Sequence, residues 1–360
     1  MLDKTGSLPP GAASVAAPAG AESRGLGNAS AAAPGWPPPR RADWGETLAA
    51  LDLGTNNCRL LVARGLRSGF RVIDAFSRIV RLGEGLATSG VLSEAAMART
   101  VDALKVCAAK IASRGVTRGR YVATEACRRA ANCAEFLDRV RAGTGLEVEI
   151  IATEEEARLA VEGCASLLDR RTRFALVFDI GGGSTEIVWL EGADRATRRV
   201  LGFVSVPHGV VSLTERYGSD TVSREAYRAM IADVAEAIRP FEARHRIADR
   251  VARGEVQMLG SSGTVTTLAG IHLGLPRYNR AVVDGTFLSF AAIAEVSGRL
   301  AGLGLADRAA HPCVGVDRAD LVVAGCAILE AICLAWPVGQ LRVADRGVRE
   351  GILIGLSGAR

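Results

Sequence analysis

Two aspartates stand at matching points of a repeated pattern. Asp52 lies in Leu48-Ala49-Ala50-Leu51-Asp52-Leu53-Gly54-Thr55-Asn56-Asn57-Cys58-Arg59-Leu60-Leu61-Val62, and Asp179 lies in Phe174-Ala175-Leu176-Val177-Phe178-Asp179-Ile180-Gly181-Gly182-Gly183-Ser184-Thr185-Glu186-Ile187-Val188. Each copy is an apolar run, an Asp, one aliphatic residue, a Gly, a short polar turn and a second apolar run, which predicts strand, tight turn, strand. The aspartates are 127 positions apart, a domain-sized spacing that suggests two related domains facing one ligand. An Asp at a strand end can cap its own turn through an Asx hydrogen bond. The duplication favours another role, in which Asp52 and Asp179 hold a divalent cation against phosphate oxygens. Mg²⁺ takes one or two carboxylates and keeps several waters, so two facing aspartates suit it.

Three Gly/Ser/Thr-rich turns follow apolar strands: 54–57, 181–185 and 260–264. Glycine lets the backbone approach a ligand closely, and successive turn N–H groups form an anion nest. The phosphate-binding set read from these turns is Gly54, Thr55 and Asn56; Gly181, Gly182, Gly183 and Ser184; and Gly260, Ser261, Ser262 and Gly263. Other phosphate machinery is missing from the sequence. None of the three lysines follows a Gly, so there is no Walker loop. There is neither a His-Asp doublet nor a G-x-S-x-G elbow.

Thr153-Glu154-Glu155-Glu156-Ala157-Arg158 follows the strand 147–151. Strand ends of α/β folds are where ligands bind. Thr153-x-x-Glu156 also matches a capping box, and spacing alone favours that reading over Glu156 as general base on an attacking water. In Glu125-Ala126-Cys127-Arg128-Arg129, either arginine can clamp a phosphate or remain solvated. Arg280, Arg346 and Arg349 are further basic candidates.

The elements around these residues alternate between strands and helices, the α/β signature. A helix is expected from Ser93 to about Ser113, and helical patterns over about 289–300 and 318–334. The expected organisation is a disordered Ala/Pro/Gly-rich tail over 1–45, a first lobe over 46–170 and a second over 171–338. A closing strand and helix over 339–360 are expected to return to the first lobe. The tail has no secretory leader pattern and too little apolar surface to offset its ordering entropy.

A chain of 360 residues with 49% hydrophobic residues suffices for two packed domains. A net charge of +5 is too modest to imply duplex nucleic-acid binding. Of 44 basic residues 41 are Arg; GC-rich coding accounts for that, although guanidinium also suits oxyanions. Eight cysteines form no C-x-x-C pair, which leaves zinc and thioredoxin-type chemistry unsupported and makes a reducing cytoplasm the simplest setting. The longest apolar stretch, 321–338, contains Glu330 and ends near Pro337, so a buried helix is expected rather than a membrane span.

In order along the chain, Asp52-Leu53-Gly54-Thr55-Asn56-Asn57, Thr124-Glu125-Ala126-Cys127-Arg128, Glu155-Glu156-Ala157-Arg158, Asp179-Ile180-Gly181-Gly182-Gly183-Ser184-Thr185, Gly260-Ser261-Ser262-Gly263-Thr264 and Arg349-Glu350-Gly351 resemble the motifs of the exopolyphosphatase / guanosine pentaphosphate phosphohydrolase family. The resemblance spans residues 46 to about 356. It implies an actin-like fold of two ribonuclease-H-like lobes with a phosphate cleft between them. It also implies Mg²⁺ and release of terminal phosphate from polyphosphate or guanosine pentaphosphate; a homodimer is a further expectation. On this resemblance Glu156 is the catalytic carboxylate, Asp179 positions metal or water, Arg128 contacts phosphate and Ser184 belongs to the second phosphate loop. Catalysis thereby displaces capping as the reading of Glu156. The chain resembles the short, two-domain members, which puts a long-chain grip in question. Two rival functions remain open: an alarmone- or polyphosphate-binding sensor, and an ATP-dependent kinase of the same superfold.

Overall fold

Both repeated hairpins form, and each founds its own sheet. The structure, a computed structural model, describes residues 45–67 and 69–358; the segment expected to be disordered lies, but for Gly45, outside them. The first unit comprises β1 (Thr47–Leu53), β2 (Asn57–Leu66), β3 (Gly69–Ile79), α1 (Leu86–Ser89), α2 (Glu94–Ser113), β4 (Arg118–Ala123), α3 (Glu125–Arg129), α4 (Cys133–Thr144), β5 (Glu149–Ile150) and α5 (Thr153–Cys164). The second comprises β6 (Phe174–Ile180), β7 (Thr185–Glu191), β8 (Arg199–Val206), α6 (Val210–Tyr217), α7 (Arg224–His245), α8 (Ile247–Ala252), β9 (Val256–Ser261), α9 (Gly263–His272), α10 (Arg280–Val283), β10 (Phe287–Ser289), α11 (Phe290–Ala301), α12 (Leu305–Ala310) and α13 (Val322–Ala335). β11 (Gln340–Ala344) and α14 (Val348–Ser357) complete the chain.

The two sheets run β3-β2-β1-β4-β5 and β10-β11-β9-β6-β7-β8. In each, an antiparallel three-strand meander is extended on its first strand by parallel strands: β4 on β1, then β5; β9 on β6, then β11. This shared connectivity is the duplicated, actin-like architecture. β1 and β6 are unbroken apolar runs because both faces of each are covered. Ala49, Leu51 and Leu53 pack with Met97, Leu104 and Phe136, whereas Leu48 and Ala50 pack with Leu159, Ile352 and Leu353. In the second lobe Leu176, Phe178 and Ile180 face the large core containing Val265, Leu268 and Ile328, and Ala175 and Val177 face Ala157 and Val161 of α5.

The closing segment divides in two. β11 was expected to return with its helix to the first lobe; instead it pairs in parallel with β9 of the second sheet. Only α14 crosses over, burying Ile352 and Leu353 with the first-lobe core. It meets α5 backbone to backbone: a Cβ on Gly163 would lie 2.1 Å from Gly347 O, and one on Gly351 would lie 2.1 Å from Leu159 O. Side chains at those two positions would drive the helices apart, which explains glycine at both. The apolar helix expected over 318–334 is α13, buried in the second-lobe core. Among the described residues no helix is long and apolar enough to cross a membrane. All eight cysteines are free and buried.

Candidate active site

The two glycine turns press against each other between the lobes. They close with the same hydrogen bond, Gly54 N to Asn57 O and Gly181 N to Ser184 O, each 2.9 Å. A Cβ on Gly182 would lie 3.0 Å from Thr55 Cβ, and one on Gly183 would lie 3.0 Å from Thr55 Oγ1. On the opposite wall α9 begins at Gly263, and Ser262 Oγ accepts from Val265 N at 3.1 Å. Ser262 has φ +150°, a region that non-glycine residues enter only at a cost of about 1–3 kcal/mol. The first residues of α9, Gly263 and Thr264, line the cleft, where a helix N-terminus favours an anion. The resulting cavity, about 940 Å³ with its open mouth, is lined by Asp52, Gly54, Thr55, Asn56, Glu156, Asp179, Gly181, Gly182, Gly183, Ser184, Ser262 and Gly263 from the sequence-derived set. Arg81 of the first lobe and Asp320 of the second form a 2.7 Å ion pair across the lobes, and Gly85 N donates to Glu215 Oε1 at 2.7 Å.

Three members of the set lie elsewhere. Gly260 packs on the Phe178 ring, where a Cβ would fall 2.6 Å from its Cζ. Ser261 donates to Arg346 O at 2.7 Å and faces a second cavity. Arg128 lies behind Glu156: its Nη1 is 2.8 Å from Glu156 Oε2, while its hydrogen bonds go to Ile151 O (2.9 Å) and Glu125 Oε2 (3.0 Å). The guanidinium is thus committed to carboxylates and a carbonyl.

Glu156 does not cap its helix. The N-cap of α5 is Ala152, without a side-chain cap bond, and the Glu156 carboxylate turns into the cleft. Its Oε2 is buried without a hydrogen bond among the described residues, because Arg128 approaches it off the donor axis. Burial raises the Glu156 carboxyl well above its ordinary range; Glu186 and Asp52 add to this and Arg128 opposes it. Burial and the neighbouring Glu186 push Asp179 up to about 7, against the attraction of Arg59. Asp52 is raised by burial, with Arg59 and Arg349 opposing.

Residues beyond the sequence-derived set complete the site. Glu186 stands directly across the hairpin from Asp179, as Arg59 does from Asp52. Glu186 is buried and accepts from Ser184 Oγ (2.7 Å) and Ser205 Oγ (2.9 Å). A hairpin-register count would have found both, since each lies seven positions after its aspartate. Arg318 enters from the turn before α13, with no signal in the sequence, and donates to Thr267 Oγ1 at 3.1 Å. A Cβ on Gly263 would lie 3.8 Å from Arg318 Cζ and 4.0 Å from Arg59 Nη2. Among the described residues, Arg59 and Arg349 make neither a hydrogen bond nor an ion pair, and Arg318 makes no ion pair.

Four carboxylates thus converge near two anion-binding turns and a helix N-terminus. Among the described residues the Asp52 and Asp179 carboxylates make no hydrogen bond or ion pair, and no group of three or more His, Cys, Asp or Glu side chains has metal-holding geometry. The donor set therefore suits a hard cation that completes its shell with water and phosphate oxygens, as Mg²⁺ does, rather than an all-protein cage.

The likeness to known proteins extends over nearly the whole described chain. The model of the Ppx/GppA phosphatase family matches residues 61–359. The solved Aquifex aeolicus PPX-GPPA enzyme is 30% identical over 86% of this chain and 99% of that one, with a TM-score of 0.70. An exopolyphosphatase-like protein is 31% identical over 88% and 98%, with a TM-score of 0.77. An exopolyphosphatase from Cytophaga hutchinsonii, 24% identical over 88% and 99%, shares the fold with a TM-score of 0.78. With paired glycine turns, an interlobe carboxylate site and a family match across both lobes, the chain belongs to the Ppx/GppA phosphatase family.

Proposed function

We propose that the protein hydrolyses a terminal phosphoanhydride: the end phosphate of inorganic polyphosphate, or the 5′ γ-phosphate of guanosine pentaphosphate. The observation that carries this reading is the Glu156 carboxylate, lining the cleft and held at Oε2 by the Arg128 guanidinium 2.8 Å away. A raised carboxyl pKa makes it a stronger base than an exposed glutamate, and the carboxylate oxygen not held by Arg128 can take the proton of a water aligned with the phosphorus. Arg128 orients it from behind. The N–H groups of the 54–57 and 181–184 turns and of the α9 start hold the phosphoryl oxygens. Arg59 and Arg318 offset charge on the leaving phosphate. Phosphoryl transfer demands mainly such positioning and charge stabilisation. Asp52 and Asp179 would hold Mg²⁺, which when bound supplies charge neutralisation between carboxylates and phosphates. The named substrates are supported by the family and by the 31% identical exopolyphosphatase-like relative.

The test is phosphate release from polyphosphate and guanosine pentaphosphate in parallel, with and without Mg²⁺, by the natural protein and Glu156→Gln. Loss of a general base should lower kcat by about 10²–10⁴-fold with the melting temperature nearly unchanged. Retained turnover in a folded Glu156→Gln protein would refute the assignment.

A further inference from the structure

A second cavity of about 1000 Å³ adjoins the first on the far side of Arg59. The two share Asp52, Arg59, Asp179, Ser262, Gly263 and Arg318, so they adjoin at the start of α9. Glu156 and the 181–184 turn line only the first. The second therefore lies away from the general base, and it is built for anions. On its first-lobe wall Asp52, Arg59 and Ser77 form one cross-strand row, with Ala75 and Ser77 exposed at the rim. Arg349 projects from the first turn of α14, and Tyr278 and Arg280 stand opposite.

The balance of charge selects the ligand. Arg280 is neutralised by Asp345 and Glu350, and Arg346 by Asp284; these pairs build the wall. Arg59 and Arg349 remain without a hydrogen bond or ion pair among the described residues, and Arg318 bonds only the Thr267 hydroxyl. Asp52 and Asp179 attract Arg59 and Arg349 from the shared wall without pairing with them. Three guanidiniums that, among the described residues, make no ion pair along one passage retain donors for oxyanions, which guanidinium meets with paired N–H groups.

We propose that this second chamber holds the phosphates of a polyphosphate chain lying beyond the phosphoryl group being cleaved. The proposal rests on the phosphohydrolase reading above. The terminal phosphate sits with Glu156, the chain crosses the α9 start at Gly263, and the following phosphates lie between Arg59 and Arg349. A two-lobe chain thereby gains a grip on long substrates within its own lobes.

Ala75 tests this without touching the chemistry, because it is exposed at the rim on a strand that accepts either charge. Ala75→Glu and Ala75→Lys are compared on tripolyphosphate and on polyphosphate of several hundred units. The expected KM for long polyphosphate is about tenfold or more higher in the Glu than in the Lys variant, with tripolyphosphate differing less than twofold. Equal KM values for long polyphosphate in the two variants, or the same ratio for both substrates, overturn the proposal. The same pair in a Glu156→Gln background, read by equilibrium binding of labelled polyphosphate, separates the two readings. Failure of turnover by the natural protein with a preserved charge-dependent binding difference sinks the hydrolase assignment alone, and binding that ignores the charge at 75 sinks the chamber.

Discussion

Asp179→Asn should make the protein more stable as well as inactive. Asp179 is buried at the end of β6 with Glu186 directly opposite, and its carboxyl is pushed from 3.8 to about 7. Because the folded pKa lies above the unfolded one, the folded state binds the extra proton, and stability falls as pH rises from about 4 through about 7. At 1.36 kcal/mol per pH unit, that displacement corresponds to about 4 kcal/mol. Residual solvent contact in the cleft reduces this to roughly 2–4 kcal/mol. Asparagine keeps the shape and removes the charge, so the variant and the natural protein should be equally stable near pH 4. By pH 8 the variant should exceed the natural protein by that margin. The assay is urea unfolding of both proteins across pH 4–8.5 in chelator. Adding Mg²⁺ at pH 8 should restore stability to the natural protein and do little for Asp179→Asn, since a ligand that binds only the folded state stabilises it by mass action. A stability difference that does not grow with pH would refute the argument from burial and like-charge repulsion.

The acid limb of log(kcat/KM) against pH should lie above the ordinary glutamate range, because a general base must be deprotonated and Glu156 is raised; Arg128→Met should move that limb to still higher pH, as Arg128 opposes the rise. Gly351→Ala places a Cβ 2.1 Å from Leu159 O, so urea unfolding should show a loss of about 2 kcal/mol or more. Arg59→Met should lower kcat/KM about 10–100-fold through a lost charge-assisted contact and lower the unfolding midpoint only slightly, since Arg59 attracts Asp52 and Asp179 without an ion pair to either; a large loss of stability would show instead that Arg59 serves the fold.

The sequence alone determined the repeat, and through it the fold. An Asp-aliphatic-Gly turn between apolar runs is local information, since turn geometry and strand burial act within a few residues. The turns at 54–57 and 181–184 and the carboxylates Asp52, Asp179 and Glu156 were legible for the same reason. Legibility was lost where a position has two local uses. Glu156 satisfied a capping-box pattern, and only the packing of α5 beneath β1 and against α14 shows its carboxylate facing the cleft. Gly260 belonged by composition to a phosphate turn, yet its lack of a Cβ serves the Phe178 ring. Arg128 is expected from sequence to contact phosphate, yet it faces Glu156 and does not line the cavity. The divided ending, with β11 in one sheet and α14 on the other lobe, depended on which surfaces were left uncovered after both cores had formed. Arg318 needed the structure most: it reaches the α9 start from a turn some 55 positions further along the chain. Turns and strands are written in short stretches of chain, whereas the pairing of charges across a cleft is set by the docking of two lobes, and only the tertiary structure decides which arginines form ion pairs and which do not.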